Sequence, residues 1–242
     1  MTKARFFVAP DAIQGTRISF TPEQSAQMYR VLRLTPGCTV YALDGRGFIY
    51  TVRLEVLGRQ DAYGQIMSVR PAGGEPPIHL TLYQALLKGE KMDWVLQKGT
   101  EIGVSRFVPL LTARTIVRRR EARARWQRIL QEAAEQCGRA YIPELTSVLS
   151  WDEALDDSEG LRLIAHNGRG IPPFRSVMAQ ISSLPARVSI FIGPEGGFTE
   201  DEMIQAVERG LYPVHLGPRT LRAESAALVV ATLLLYHGGD VG

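Results

Sequence analysis

The run Val188-Ser189-Ile190-Phe191-Ile192-Gly193-Pro194-Glu195-Gly196-Gly197-Phe198-Thr199-Glu200-Asp201-Glu202 contains a strand, a loop and a helix start in immediate succession. Its first five residues are almost wholly apolar, as a parallel strand covered on both faces requires. Three glycines and a proline then give a loop whose backbone can approach a ligand closely. Thr199 and Glu202 have capping-box spacing, so the loop ends on a helix N-terminus over about 200–209. A second connection has the same form. Leu216-Gly217-Pro218-Arg219-Thr220-Leu221-Arg222-Ala223-Glu224-Ser225 follows a short strand over 212–216 and leads into a helix over 225–236. Ligands of open α/β sheets sit in the crevice at the C-terminal ends of the strands. Two such loops after neighbouring strands define one pocket; the plainer alternative is a pair of tight turns that need glycine.

Working outward, residues 78–242 alternate strands and helices. Strands are expected over 78–86, 107–111 and 161–165, and helices over 93–102 and 121–137. Residues 1–72 are different. Alternating or β-branched runs cover 5–9, 39–43, 48–57 and 63–69, separated by Pro36-Gly37, Asp44-Gly45-Arg46-Gly47 and Gly58. One helix over 22–32 has Thr21 as N-cap and Pro22 at its first position. Strands at this spacing suggest a small barrel. The breaker-rich stretch 70–77 reads as a linker. The expectation is an α/β protein of two domains: an N-terminal β-barrel over 1–72 and an α/β domain over 73–242.

The 242 residues are 45% hydrophobic and 22% charged, an ordinary globular composition. The longest apolar run, 226–236, is too short to cross a bilayer. The opening Met1-Thr2-Lys3-Ala4-Arg5 lacks the features of a secretory signal, and Cys38 and Cys137 have neither disulfide-framework nor zinc spacing. A cytoplasmic protein without metal is expected. The net charge of +3 conceals an asymmetry: residues 1–150 carry 21 basic and 13 acidic side chains, residues 151–242 carry 7 and 12. A polyanion-facing half follows from that split. Of the 28 basic residues, 24 are Arg, whose planar fork suits phosphates and base edges, although genome composition explains an Arg-rich chain equally well.

Other motifs exclude chemistries. Neither glycine loop has the Lys-Ser/Thr of a P-loop, and Gly168-Arg169-Gly170 is followed by Pro172-Pro173 rather than the third glycine of a dinucleotide site. His79, His166, His215 and His237 have no ligand spacing. Trp94, Trp126 and Trp151 fall at helix positions and are expected to pack.

The two loops together resemble the paired cofactor loops of the SPOUT methyltransferases. Lys88-Gly89-Glu90-Lys91-Met92-Asp93-Trp94, Lys98-Gly99-Thr100-Glu101-Ile102-Gly103, Glu135-Gln136-Cys137-Gly138-Arg139 and the opening Arg5-Phe6-Phe7-Val8 resemble the RsmE-type family of 16S rRNA uridine-N3 methyltransferases. The resemblance covers essentially the whole chain. It implies a PUA-like barrel, a SPOUT domain with a C-terminal trefoil knot, S-adenosylmethionine as cofactor, a homodimer, and 16S rRNA of the 30S subunit as partner. Two departures stand out: Ser225 occupies a position where threonine is usual, and Met28-Tyr29 lies where a histidine is expected before Val31-Leu32-Arg33.

On that resemblance, Ile192, Gly193, Glu195, Gly196 and Gly197 hold the cofactor from the first loop. Leu216, Gly217, Leu221, Arg222, Ser225 and Ala226 hold it from the second. Uracil N3 becomes nucleophilic only when its imide proton leaves, so charge developing on O2 and O4 must be stabilised. Arg222 is the candidate for that; Glu195 or Glu224 is the candidate base, with helix capping the alternative for Glu224. Candidate RNA contacts are Arg5, Arg30, Arg33, Arg139 and the run Arg118, Arg119, Arg120. The alternatives are another SPOUT activity, ribose 2′-O or guanine-N1 methylation, or a ribosome-assembly factor that binds RNA without catalysis.

Overall fold

A computed structural model describes residues 4–117 and 123–242. It divides into two compact units, Met1–Glu75 with Ala134–Ile142, and Pro76–Ala133 with Pro143–Gly242. This differs from a single cut after residue 72, because a segment far along the chain belongs to the first unit.

The first unit is built on a six-stranded sheet. Its strands are β1 (Arg5–Phe7), β2 (Ile13–Gln14), β3 (Arg17–Phe20), β4 (Thr39–Leu43), β5 (Phe48–Leu57) and β6 (Ala62–Pro71), in the order β1-β4-β5-β6-β3-β2. β1 pairs with β4 in parallel and every other pair is antiparallel. Period-two alternation sends Ile18, Phe20, Val40, Ala42, Val52 and Leu54 into one core with Phe6 and Met28. β6 runs two residues into the expected linker, with Arg70 and Pro71 paired to Ile49 and Phe48.

Thr21 caps α1 (Pro22–Ala26) in a full capping box with Gln24. The helix expected over 22–32 is α-helical only that far and continues as a π-helical turn, Gln27–Val31. Met28 is fully buried there, while Tyr29, Val31 and Leu32 are exposed. The late segment is fastened by polar bonds. Glu135 Oε1 accepts the Phe7 amide at 2.8 Å, and Ala134 packs against Phe7, Leu43 and Ile49.

The second unit is an all-parallel sheet. The chain forms β7 (His79–Ala85), α2 (Lys91–Ile102), β8 (Arg106–Leu110), α3 (Arg123–Cys137, whose last four residues belong to the first unit), β9 (Glu144–Leu145) and α4 (Trp151–Asp157). It continues through β10 (Leu161–Ala165), α5 (Phe174–Met178), β11 (Arg187–Ile192), α6 (Glu200–Glu208), β12 (Tyr212–Val214) and α7 (Ala223–His237). The strand order is β12-β10-β11-β7-β8-β9, so β11 slots between β10 and the first strand of the unit. Val188, Ile190 and Ile192 face one core and Phe191 the other, so this strand is covered on both sides as its composition requires. Phe191 stacks on Tyr83 with ring centroids 4.2 Å apart. Trp126 and Trp151 are buried as expected, whereas Trp94 is 42% exposed on α2.

Candidate functional site

Three neighbouring strands, β12, β10 and β11, end together, and the loops that follow them enclose a cleft of about 570 Å³. That volume suits a small-molecule ligand. β10 contributes Ala165 and the loop after it His166 and Asn167; β11 contributes Ile192 and the loop after it runs to Phe198; the third wall comes from the segment leading into α7.

The glycine loop has a defined shape. The Gly197 amide donates to the Pro194 carbonyl at 2.9 Å, closing a turn, and Gly197 itself sits at φ +68°. A Cβ on Gly193 would lie 3.2 Å from the Gly197 backbone and 3.3 Å from the Phe198 ring, so the chain folds back on itself without room for a side chain. The loop is braced from behind. Arg114 Nη1 donates to the carbonyls of Gly196 (2.8 Å) and Phe198 (3.2 Å). Thr199 caps α6 in the expected box with Glu202. Glu202, 6% exposed, also accepts the Ala113 amide at 2.7 Å, tying the loop after β8 to this helix start.

The second loop is fixed by different bonds. Asn167 Nδ2 donates to Thr220 Oγ1 at 2.9 Å, and the Gly217 amide donates to His215 Nδ1 at 3.2 Å. Burial, with Arg114 nearby, holds the His166 imidazole below its ordinary pKa and hence neutral at pH 7.

Most of the expected cofactor residues meet in this cleft. Ile192, Gly193, Glu195, Gly196 and Gly197 line it from one side. Leu216, Gly217, Leu221, Arg222 and Ala226 line it from the other. Arg222 is the exposed N-cap of α7 and has no salt bridge among the described residues. Ser225 and Glu224 are not among the residues that line the cleft, where the first turn of α7 presents Ala223 and Ala226. Glu224 points its Oε2 towards Lys91 Nζ, 3.8 Å away, and that oxygen is buried without a hydrogen bond among the described residues.

Lys91 lines the cleft, and the sequence reading gave it no role there. It donates to Glu195 Oε1 at 2.9 Å, and the Lys88 amide approaches the same oxygen at 3.3 Å. Burial pushes the Glu195 carboxyl up, but these bonds outweigh it and leave the carboxyl below the usual range. A carboxylate held this way is a weak proton acceptor.

The expected RNA residues divide. Arg30 and Arg33 are exposed on and just after the π-helical turn, beside exposed Tyr29, Val31 and Leu32. Arg5 is half-buried and donates to the Gln136 carbonyl at 3.3 Å. Arg139 is only 5% exposed; its guanidinium grips Glu75, with Nη2 to Oε2 at 2.6 Å, so it is a structural residue of the first unit rather than a free RNA contact. Arg118, Arg119 and Arg120 lie outside the described residues. Among the described residues, no cluster of metal-ligating side chains is present, and no helix is long and apolar enough to cross a membrane.

A family model for an RNA methyltransferase domain matches residues 74–235. Ribosomal RNA small subunit methyltransferase E of Synechocystis is 35% identical over 93% of this chain and 75% of its own length. The Bacillus subtilis protein of the same name is 30% identical over 93% and 91%. The chain belongs to the RsmE family. The fold agrees: a crystal structure of the Neisseria gonorrhoeae member, bound to S-adenosyl methionine, matches with a TM-score of 0.88 and 32% identity over 97% of this chain and 98% of that one. A Legionella pneumophila methyltransferase in complex with the same cofactor matches at 0.89 and 30% identity, with 98% of both chains covered.

Proposed function

We propose that this chain is an S-adenosylmethionine-dependent methyltransferase of 16S rRNA in the 30S subunit, acting on uridine N3. The observation that carries the reading is the cleft itself, where a folded-back glycine loop and an Arg-bearing second loop meet at the C-terminal ends of adjacent parallel strands. Its size, its open backbone and its apolar walls from Ile192, Leu216 and Leu221 fit the cofactor. Bound there, S-adenosylmethionine supplies an electrophilic methyl group on a sulfonium.

The residues of the chain do the rest. Gly193, Gly196, Gly197 and Gly217 offer backbone groups at close range, and Glu195 offers a carboxylate to the cofactor's positive charge. Arg222, whose guanidinium has no salt bridge among the described residues, stabilises the anion that forms on the uracil oxygens as N3 loses its proton. Because the Lys91 and Lys88 bonds lower the basicity of Glu195 and Glu224 does not line the cleft, the proton is better assigned to solvent than to either carboxylate.

Finer features of the reading rest on separate supports. The position of β11 between β10 and β7 supports a knotted SPOUT topology, and the first unit is read as a PUA-like RNA-binding barrel. Its RNA face is the exposed Tyr29-Arg30-Val31-Leu32-Arg33 segment, which combines an aromatic platform with two cations. Val229, Leu233 and Tyr236 recur on one exposed face of α7, with Trp94 exposed on the neighbouring α2; this apolar surface supports a homodimer. A ribosomal substrate places the protein in the cytoplasm.

Titration calorimetry with S-adenosylmethionine tests the cofactor half of the proposal. Binding is expected in the wild type and in Arg222→Ala; absence of binding in the wild type overturns the reading.

A further inference from the structure

Lys91 occupies an unfavourable place for a cation. It is the first residue of α2, where the positive end of the helix dipole repels it. Two carboxylates converge on it from elements remote in sequence. Glu195 belongs to the glycine loop after β11, and Glu224 to the first turn of α7. The three side chains are 34%, 33% and 13% exposed respectively. The buried Oε2 of Glu224 has no hydrogen bond among the described residues, so the nearby ammonium is what compensates its charge. Removing the ammonium leaves the charge on that buried oxygen without its nearest compensation.

Resting on the cofactor-dependent methyl transfer above, we propose that Lys91 is a positioning residue that ties the glycine loop to the start of α7 and so sets the width of the cofactor cleft. The two cofactor-bearing segments make their other anchoring bonds elsewhere: the glycine loop to Arg114, the second loop to Asn167. The Lys91 ammonium joins them. Without it, Glu195 loses its shortest bond and the buried Oε2 of Glu224 loses its nearest cation, so both segments relax away from each other. The tie acts through loop geometry, and the side chain does not touch the transferred methyl.

The test compares wild type, Lys91→Met, Lys91→Arg and the double variant Lys91→Met/Glu224→Gln. Hydrogen exchange of the amides of 193–199 and 223–227 is measured in the ligand-free protein, S-adenosylmethionine affinity by calorimetry, and KM and kcat on 30S subunits. Lys91→Met is expected to speed exchange in both segments and to weaken the cofactor at least tenfold, raising its KM more than it lowers kcat. Lys91→Arg restores most of the affinity, and the added Glu224→Gln restores part of it. Exchange and affinity within twofold of wild type in Lys91→Met overturn the proposal, as does a loss that Lys91→Arg leaves unrepaired. If Lys91→Met does not fold, Glu195→Gln cuts the same tie from the loop side, with faster exchange over 193–199 expected and unchanged exchange overturning the tie. A wild type that binds no cofactor refutes the methyltransferase reading alone; exchange in the variants then decides the tie.

Discussion

Replacing Gly197 by alanine isolates the conformational demand of the glycine loop. Gly197 lies at φ +68°, and a Cβ built there meets no atom within 4 Å, so the substitution adds backbone strain and no clash. Left-handed backbone costs an L-residue roughly 1–2 kcal/mol. The turn closed by the Gly197–Pro194 bond can escape that strain by opening, which carries Glu195 away from Lys91. Cofactor binding must then restore the strained turn, so affinity falls by the same energy, about five- to thirtyfold. Gly239→Ala is the control. That glycine follows α7 at φ +82°, is equally unobstructed and does not line the cleft. It loses the same unfolded-state entropy, so the comparison cancels that effect. Titration calorimetry on both variants is the assay: Gly197→Ala is expected to weaken S-adenosylmethionine within that range and Gly239→Ala not at all. Affinity within twofold of wild type for Gly197→Ala, or an equal loss in both variants, refutes the reasoning.

Further expectations concern catalysis, stability, assembly and RNA. Arg222→Ala is expected to lower kcat on 30S subunits at least tenfold while cofactor affinity stays within threefold, equivalent to about 1.4 kcal/mol or more of lost transition-state stabilisation; single-turnover transfer with labelled cofactor checks it. Asp157 accepts Arg106 Nη1 at 2.7 Å and the Tyr83 hydroxyl at 2.7 Å. The Arg106 bond, against partial burial, holds its carboxyl below the usual range. Its stabilising contribution is therefore complete above the unfolded value of about 3.9 and is lost as pH falls through the lower folded value. Asp157→Asn should reduce stability by about 1.5–3 kcal/mol at pH 7 and flatten the decline below pH 4, measured by urea unfolding at pH 7 and pH 3. Leu233→Asp places a charge on the exposed face of α7 and is expected to halve the mass seen by sedimentation. Arg30→Ala with Arg33→Ala should weaken RNA binding and make the salt dependence shallower, by a slope of about two, in a filter-binding series.

Local grammar in the sequence was a good guide to elements and to the cleft. Thr21 caps its helix as expected, the capping box at Thr199 is where its spacing puts it, and the apolar run at 188–192 is a doubly covered strand. The same grammar also marked α4, whose Ser150 and Glu153 form a third box that the reading passed over. Short β2 and β3 escape the sequence reading because Arg17–Phe20 offers only two cycles of alternation and Ile13–Gln14 only one. What escaped entirely depends on distance along the chain. Arg139 pairs with Glu75, 64 positions away in sequence, so an arginine expected to contact RNA is buried. Lys91 meets Glu195 and Glu224 only after the parallel sheet has brought α2, β11 and α7 together. Strand order was equally hidden, since periodicity identifies strands without saying that the fifth of the sheet in sequence, β11, lies between the first and the fourth, β7 and β10.

The most direct test of the central claim uses 30S subunits lacking the modification, incubated with the protein and methyl-labelled S-adenosylmethionine, followed by nucleoside mass spectrometry of the digested RNA. Labelled N3-methyluridine in 16S rRNA is the expected product. A different labelled nucleoside contradicts the assignment of uridine N3, and RNA without label contradicts methyl transfer to the small subunit.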